Sequence, residues 1–358
     1  MNNYEIEDKK IFDVYCKKYK YYPSIISSKK RIIVFGDLHG DFDLTIRLLK
    51  LAKLVDSKNS WIGNDTYVVQ VGDQLDNCRP NEKKCNELNS EINEYVKETE
   101  AEDIKLLKFL TKLDMEANKY NGAVISLLGN HEIMNVMGNM NYVSYNDVEK
   151  FKNYVDKSKP SLKFNSGKEG RIHAFKPGNE YAKLLACTRI PAIIIGSFIF
   201  VHAGIINEFV EKLDIKNRND LFKINYIMRK WLLNMIDKNN VINIINNANY
   251  SMFWDRILGA IPPNMNNNDP KCVKYLDKVL QLFKVDKMII GHTPQFVHNN
   301  KGINSTCGEK LWRVDFGGSF GFNKFDESFN KNKHIDDSRK AQILEILNDS
   351  EINILKEN

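Results

Sequence analysis

Five short hydrophobic segments, each followed by a polar loop with glycine or histidine, constrain the fold of this chain more than any other feature. The segments are residues 31–35, 67–71, 123–128, 193–200 and 287–290. Continuous branched and aliphatic runs of this length are typical of strands that are buried on both faces. Helical patterns lie between them, one of which begins at a potential cap, Asp41. This alternation predicts an α/β core, in which ligands gather beyond the carboxyl ends of the strands.

The loops that follow these strands contain side chains suited to binding metal ions. They supply two aspartates, three histidines and an asparagine: Asp37, Asp73, His39, His202, His292 and Asn130. Carboxylates brought together in a buried place repel one another and lose hydration, which would destabilise the fold. Two divalent cations relieve that conflict, and oxygen and nitrogen ligands without thiolates suit Mn, Fe or Zn. We therefore expect two divalent metal ions, with Asp73 as the bridging carboxylate.

A centre of this kind can hydrolyse phosphate esters. Paired ions about 3.5–4 Å apart polarise a phosphoryl oxygen and hold a bridging hydroxide, which can attack phosphorus directly in line. The leaving oxygen then needs a proton, and His131 is the candidate general acid. Asp76, three residues after the bridging candidate, is expected to hold the His131 imidazole in the required tautomer.

The sequence around these residues resembles a known superfamily. The motifs GDLHGD, GDQLD, GNHE, VHAG and GHT begin at residues 36, 72, 129, 201 and 291. Their order is similar to that of the calcineurin-like metallophosphoesterases, and GNHE rather than GNHD resembles the PPP phosphoprotein-phosphatase branch. Residues 132–143, 171–178 and 311–317 are further similar to the Shewanella-like phosphatases. The resemblance covers residues 31–347, which is most of the chain.

This resemblance implies a metallophosphoesterase fold, with two central mixed β-sheets packed as a sandwich and flanked by helices. It also implies that two ions are bound by overlapping ligand sets, with Asp73 in both. The first set is Asp37, His39 and Asp73, and the second is Asp73, Asn130, His202 and His292. The pair that donates a proton would be His131 and Asp76.

Phosphate binding is where the chain departs from the family pattern. A bidentate guanidinium matches phosphate oxygens, and Arg256 matches the family's Trp-x-Arg element. The family's GDxxDR reads GDQLDN here, so Asn77 stands where an arginine commonly grips phosphate. Arg79 is a candidate replacement, and otherwise phosphate binding would depend more on Arg256 and Asn130.

We expect one catalytic domain over residues 31–358, preceded by an N-terminal extension over residues 1–30. Further expected features are a short helix near residues 11–19, insertions near residues 79–103 and 207–249, and a C-terminal β-hairpin of residues 342–347 and 352–355. No internal repeat or low-complexity linker argues for a second domain.

Charge and apolar patterning exclude several classes of protein. Lys and Arg number 52 against 46 Asp and Glu, and the net charge of +6 is weaker than that of a typical nucleic-acid binder. No segment approaches the roughly 18–20 apolar residues that cross a bilayer, and the N-terminus lacks the apolar core of a secretion signal. We therefore expect no nucleic-acid or membrane partner and an intracellular, cytoplasmic location. In that setting the cysteines should be reduced, including the neighbours Cys78 and Cys85.

The leading hypothesis is a metal-dependent protein phosphatase that acts on a phosphorylated protein or peptide. Serine/threonine specificity is typical of the PPP branch, and the Shewanella-like relatives leave tyrosine open. One alternative is hydrolysis of nucleotides or dinucleoside polyphosphates, since those hydrolases also carry GNHE. Another is an inactive binding module with the phosphatase fold, which Asn77 favours and the complete ligand set opposes. The native metals and the oligomeric state stay open, as does whether Arg171 and His173 reach the substrate or pair within the fold.

Overall fold

Two six-stranded β-sheets form the centre of the protein, described here from a computed structural model over residues 2–80, 85–86, 100–298, 302–323 and 339–358. The continuous apolar runs of the sequence supply the central strands of both sheets. In chain order the strands are β1 (Ile25–Ile26), β2 (Arg31–Phe35), β3 (Tyr67–Gln70), β4 (Ala123–Leu127), β5 (Arg189–Ile190), β6 (Ala192–Ile195), β7 (Phe198–Val201), β8 (Lys287–Ile290), β9 (Asn304–Thr306), β10 (Leu311–Arg313), β11 (Gln342–Leu347) and β12 (Glu351–Lys356).

Both sheets mix parallel and antiparallel pairs. The first has the order β12-β11-β2-β3-β4-β5, in which β2 to β5 are parallel and β11 runs antiparallel to β2. The second has the order β1-β6-β7-β8-β10-β9, in which β7, β8 and β10 are parallel. Parallel neighbours end at the same edge of a sheet, so the loops after β2, β3 and β4 lie together, as do those after β7 and β8.

The two sheets pack face to face. Val34 and Val69 of the first sheet share one hydrophobic cluster with Phe200 and Ile289 of the second. The opposite face of the second sheet, which includes Ile199, packs against helices in another cluster. These two layers with flanking helices confirm the predicted α/β class.

Twelve α-helices surround the sheets within the described residues. They are α1 (Asn3–Tyr15), α2 (Phe42–Leu51), α3 (Glu102–Ala117), α4 (Asn130–Val136), α5 (Tyr145–Glu149), α6 (Gly167–Phe175), α7 (Glu180–Thr188), α8 (Asn207–Lys212), α9 (Asp220–Leu232), α10 (Ile242–Ile245), α11 (Pro270–Cys272) and α12 (Lys278–Phe283). Asp41 caps α2 by accepting a hydrogen bond from the Leu44 amide, as its position in the sequence predicts. None of these helices combines the length and the apolar character that crossing a bilayer requires.

The N-terminal segment is integrated with the sheets and helices. Helix α1 begins at Asn3, eight residues before the predicted start near residue 11, because Asn2 caps it and its residues pack on α9. Asp8 of α1 forms a buried ion pair with Arg229 of α9, at 2.7 Å. Strand β1 pairs with β6 at the edge of the second sheet.

The two predicted insertions differ in how much of them the structure describes. Residues 81–84 and 87–99, most of the first, lie outside the described residues. Within residues 207–249 lie helices α8, α9 and α10, in agreement with their helical pattern. Residues Leu221, Met228 and Trp231 of α9 pack into the hydrophobic cluster on the second sheet.

The expectation of reduced cysteines is wrong for this structure. All six cysteines form disulfides: Cys16–Cys187, Cys78–Cys85 and Cys272–Cys307. Two of these pairs join residues 171 and 35 positions apart, so only the folded chain brings them together. Cys78 and Cys85, seven positions apart, are also bonded.

Candidate metal centre

The predicted ligands converge where the carboxyl ends of the two sheets meet. Asp37 and His39 follow β2, Asp73 follows β3, and Asn130 begins α4 after β4. From the second sheet, His202 follows β7 and His292 follows β8, and all six side chains are buried. Among the described residues, two groups of three place ligand atoms within 4.8 Å of one another: His39, Asp73 and His131, and Asp73, His202 and His292. Asp73 belongs to both groups.

The first group is arranged around one oxygen of Asp73. Its Oδ2 lies 3.9 Å from Nε2 of His39 and 3.9 Å from Nε2 of His131. The other nitrogen of His39, Nδ1, is 3.1 Å from the Leu75 carbonyl oxygen, which can only accept a hydrogen bond. His39 therefore donates from Nδ1 and keeps an Nε2 lone pair toward the site. Asp37, the remaining predicted ligand here, has Oδ2 3.8 Å from the same Nε2.

The second group contains acceptor atoms that face one another. Nε2 of His202 lies 2.9 Å from Oδ1 of Asn130 and 3.3 Å from Oδ2 of Asp73. Its Nδ1 faces the Val71 carbonyl oxygen at 2.8 Å and donates there, which leaves Nε2 without a proton in the neutral ring. In that form three lone pairs converge and repel, a conflict that a proton on Nε2 or a metal cation removes. The buried Nε2 of His292 has no hydrogen-bond partner in the described part of the chain, so the donor set fits a divalent ion.

The backbone at the site adopts a conformation that ordinary residues avoid. His39, Asp73, Asp76 and His292 all have positive φ, between 45° and 69°. Such left-handed residues cost free energy and persist where the surrounding structure enforces them, commonly at functional sites. Gly129 is required for a different reason, since a Cβ there would lie 2.1 Å from Oδ1 of Asp73.

Glu132 organises the loops from within, a role that sequence reasoning missed. Its Oε2 accepts the amides of Gly129 and Asp73, at 2.7 and 2.9 Å. Its Oε1 accepts those of Gln74 and Leu75, at 2.8 and 3.1 Å. One buried carboxylate therefore joins the loops after β3 and β4. The glutamate of GNHE was a signal for this role, because a buried acid needs several donors.

The carboxylates and imidazoles perturb one another strongly. Burial and the carboxylates of Asp315 and Asp73 raise the pKa of Asp37 well above its usual value. Burial lowers the pKa values of His39 and His292 well below the usual value for histidine. Burial alone would raise the pKa of Asp73, but its histidine neighbours, His202 first, hold it well below the usual range. His39 and His292 are therefore neutral imidazoles and Asp73 is an ionised carboxylate, which are the forms that bind metals. Burial would lower the pKa of His202, but the adjacent Asp73 carboxylate raises it above the usual value.

The predicted proton-donating pair is in contact. Nδ1 of His131 lies 2.7 Å from Oδ2 of Asp76, so Nε2 of the same ring faces Asp73. Because an ionised carboxylate only accepts hydrogen bonds, the proton on Nδ1 belongs to the imidazole. The ring also packs edge-on against Tyr142, with centroids 5.0 Å apart.

Two of the arginines considered from the sequence lie at the site. Arg79 donates from Nη1 to the carbonyl oxygens of Asp76 and Cys78, and its guanidinium lies 4.5 Å from the centroid of the Phe322 ring. Burial lowers the pKa of Arg79, while Asp73 leads the carboxylates that act in the opposite direction. Arg256 is exposed and donates to the His292 carbonyl oxygen at 3.2 Å.

Three other candidates point elsewhere. Asn77 donates to Oδ2 of Asp147 at 2.8 Å, so its amide is directed toward that carboxylate. Arg171 is fully buried and pairs with Asp103, whereas His173 pairs with Asp156 at 2.8 Å. Of the two expectations for Arg171 and His173, the structure supports pairing within the fold.

Comparison with known proteins agrees with this architecture. Residues 30–296 match the sequence model of the family described as "Calcineurin-like phosphoesterase". An uncharacterized protein, R398, of Acanthamoeba polyphaga mimivirus is 40% identical over 259 residues, which cover 69% of this chain and 97% of that protein. Shewanella-like protein phosphatase 2 of Arabidopsis thaliana is 28% identical over 320 residues, covering 82% of this chain and 72% of its own length.

A solved structure shares the fold. The crystal structure of the cold-active protein-tyrosine phosphatase of a psychrophilic Shewanella species aligns with a TM-score of 0.60 and 20% identity, covering 94% of this chain and 83% of that one. The chain belongs to the calcineurin-like phosphoesterase family. It is therefore a metal-dependent phosphoesterase, and the predicted metallophosphoesterase fold is confirmed.

Proposed function

We propose that this chain is a two-metal phosphomonoesterase that acts on phosphorylated protein side chains. The observation that carries the proposal is the position of Asp73, whose carboxylate takes part in both groups of ligand atoms. Divalent ions bound there would polarise the phosphoryl group and provide a water-derived nucleophile near neutral pH. The proposed ligands are Asp37, His39 and Asp73 for one ion, and Asp73, Asn130, His202 and His292 for the other.

His131 is proposed to protonate the leaving oxygen. When the bond between phosphorus and the ester oxygen breaks, that oxygen takes the electron pair and needs a proton, which Nε2 of His131 can donate. Asp76 holds Nδ1 at 2.7 Å and so keeps Nε2 directed toward the reacting group. The acid and its orienting carboxylate thus occupy the side of the site next to Asp73.

Two arginines are proposed to bind the phosphate. Arg79 belongs to the loop after β3, and the carboxylates of Asp73 and Asp76 interact electrostatically with its guanidinium. It therefore supplies positive charge on the side where Asn77 replaces the usual arginine. Arg256 approaches from the rim beside His292 and remains exposed, so it can meet an incoming substrate. A guanidinium offers paired donors that match two phosphate oxygens.

The substrate class is proposed from the relatives. The Arabidopsis relative is named a protein phosphatase, and the structural neighbour a protein-tyrosine phosphatase. Both names support a phosphorylated protein side chain over a nucleotide. Serine/threonine and tyrosine esters differ in the basicity of the leaving oxygen, so a general acid matters more for the alkyl esters.

A substrate panel tests the proposal. Metal-free protein is loaded with Mn²⁺ and assayed with a phosphoserine peptide, a phosphotyrosine peptide, diadenosine tetraphosphate and p-nitrophenyl phosphate. We expect phosphopeptides to have the highest kcat/KM. Faster cleavage of the dinucleotide would contradict a protein phosphatase, and no turnover of any substrate would support the inactive binding module. Asp73→Asn should remove the activity, which would exclude a contaminating phosphatase. Asp43→Asn, which changes an exposed aspartate on α2, should keep the activity.

A further inference from the structure

A buried polar network lies behind His131, on the side away from the metal ligands. Asp76 uses Oδ2 for His131, and its other oxygen, Oδ1, accepts a hydrogen bond from Nδ2 of Asn135 at 2.7 Å. Asn135 in turn accepts a hydrogen bond on Oδ1 from Nε of Arg171 at 3.0 Å. Arg171 also donates to both oxygens of Asp103, at 3.1 and 2.6 Å. Asp76, Asp103, Asn135 and Arg171 have no exposed surface.

The network has only one consistent direction. Arginine carries donors and no acceptor, so the amide of Asn135 must turn its oxygen toward Arg171. That orientation presents the amide NH₂ to Asp76 and also to the His131 carbonyl oxygen, 2.9 Å away. A rotated amide would place its oxygen against the Asp76 carboxylate and its NH₂ against Arg171. Two acceptors would then face each other at the first contact, and two donors at the second.

The guanidinium of Arg171 is itself held rigidly. It lies 5.3 and 5.1 Å from the ring centroids of Phe151 and Phe175, and Asp103 binds its far edge. Oδ2 of Asp103 also accepts the backbone N–H of Asp76 at 3.3 Å. Asp76 has a φ of 69°, and this contact helps to hold that unfavourable backbone conformation. Both the backbone and the carboxylate of Asp76 are therefore fixed from behind.

We propose that Asn135 and Arg171 are positioning residues, which orient Asp76 and through it the proton donor His131. This inference rests on the proposed function, because it assumes that His131 protonates the leaving group. Asn135 lies one helical turn after His131 on α4, and Arg171 lies on α6. Residues of two helices therefore orient the His131 imidazole. Neither residue is a predicted metal ligand.

The kinetic test uses Asn135→Leu, which keeps the side-chain size and removes all three side-chain hydrogen bonds of Asn135. We expect kcat for phenyl phosphate to fall about tenfold to a hundredfold, as for other orienting partners of an active-site histidine, with KM nearly unchanged. The loss should be smaller for p-nitrophenyl phosphate, because its better leaving group needs less protonation. Arg171→Lys keeps the positive charge but loses the paired donors of the guanidinium. It should show the same pattern with a smaller loss of kcat. Equal losses on both esters would overturn the inference.

A double-mutant cycle separates positioning from general damage to the fold. In the His131→Asn background, Asn135→Leu should lower kcat less than about twofold, because the group that it positions is already gone. A second full loss there would overturn the inference. If His131→Asn alone leaves the rate unchanged, the assignment of the acid in the proposed function fails. If His131→Asn is slow while Asn135→Leu matches the wild type, only the inference fails.

A spectroscopic measurement on metal-free protein gives a readout that does not depend on turnover. The Nδ1 proton of His131 lies in a buried hydrogen bond, so a ¹⁵N–¹H spectrum of the histidine rings should contain its resonance. Asn135→Leu should shift or broaden that resonance. The matched control is Asn225→Leu, another buried asparagine, which binds Ser24 and the Ala192 carbonyl oxygen away from the site. An unchanged His131 resonance in Asn135→Leu would overturn the inference.

Discussion

Oδ2 of Asp73 and Nε2 of His202 lie 3.3 Å apart, although the two residues follow strands of different sheets. Asp73 is placed by β3 of the first sheet and His202 by β7 of the second. The contact therefore exists only when the sheets are packed in their native arrangement. A metal ion bound by both residues would join the two layers, which couples metal binding to folding.

Asp73→Asn should impair both metal positions at once. The carboxylate is replaced by a neutral amide in a place where both ligand groups share it. We expect elemental analysis to find two ions per wild-type chain and fewer than one in the variant. Asp43→Asn provides the control, and full metal content in Asp73→Asn would contradict a bridging role.

Arg79→Ala should weaken phosphate binding more than it slows the chemical step. Hydrogen bonds to charged groups contribute about 1.5–3 kcal/mol, so KM for p-nitrophenyl phosphate should rise about 10- to 100-fold. Inhibition by inorganic phosphate should weaken in parallel. Arg256→Ala is expected to act in the same direction. Arg47→Ala, which removes an exposed partner of Glu357, controls for lost charge. Unchanged KM in Arg79→Ala would remove that residue from the substrate site.

Glu132→Gln should destabilise the protein and loosen the metal site. The variant keeps one acceptor oxygen, so two of the four amides bound by Glu132 lose their partner. Each unsatisfied buried donor costs about 1–3 kcal/mol. We expect a lower Tm and weaker Mn²⁺ binding by calorimetry. Glu7→Gln, in an exposed pair with Lys10, should leave both unchanged. A wild-type Tm for Glu132→Gln would show that the four amides tolerate another arrangement.

The three disulfides should stabilise the folded protein measurably. Replacing both Cys272 and Cys307 by alanine removes a link between positions 35 apart, and should lower the free energy of unfolding by about 3–4 kcal/mol. Urea denaturation without reductant measures the loss. Wild-type protein treated with reductant should lose stability as well. Six reactive thiols in unreduced, denatured wild-type protein would contradict the disulfides.

Asp147 should make stability depend on pH. Burial, and next the charge of Asp103, raises the pKa of Asp147 to about 7. An unfolded aspartate titrates near pH 4, so between about pH 4 and 7 the folded protein keeps a proton that the unfolded chain releases. Stability from this group is therefore present at low pH and is lost as the pH rises to about 7. The Asp147→Asn variant has no titratable group at this position.

The comparison of Asp147→Asn with wild type isolates this effect. The difference in free energy of unfolding should shift in favour of the variant as the pH rises from about 4 to about 7. Urea denaturation at several pH values measures it. Asp65→Asn, an exposed aspartate, should show the wild-type pH dependence. Parallel pH profiles for Asp147→Asn and wild type would contradict the raised pKa.

Local features of the fold were predictable from the sequence. The cap at Asp41 depends on an amide three residues away, and the strands depend on continuous apolar runs. The candidate ligands were recognisable because each stands directly after a strand. Their assignment to particular ions came from the resemblance to the family and remains a prediction.

Features that depend on distant partners were not predictable. Arg171 pairs with Asp103, 68 positions away, and nothing near either residue indicates the partner. The same holds for the bond between Cys16 and Cys187. The guanidinium of Arg79 lies against the ring of Phe322, more than 240 positions away, and spacing along the chain does not specify that contact.

The place of β2 in the first sheet has a consequence for synthesis on the ribosome. This strand, which carries Asp37 at its end, pairs with β3 on one side and with β11 on the other. In a nascent chain that has emerged only as far as β10, β2 would be an exposed edge strand that can pair with other polypeptides. The sheet that positions Asp37 would therefore be completed late in translation, after residues 342–347 have left the exit tunnel.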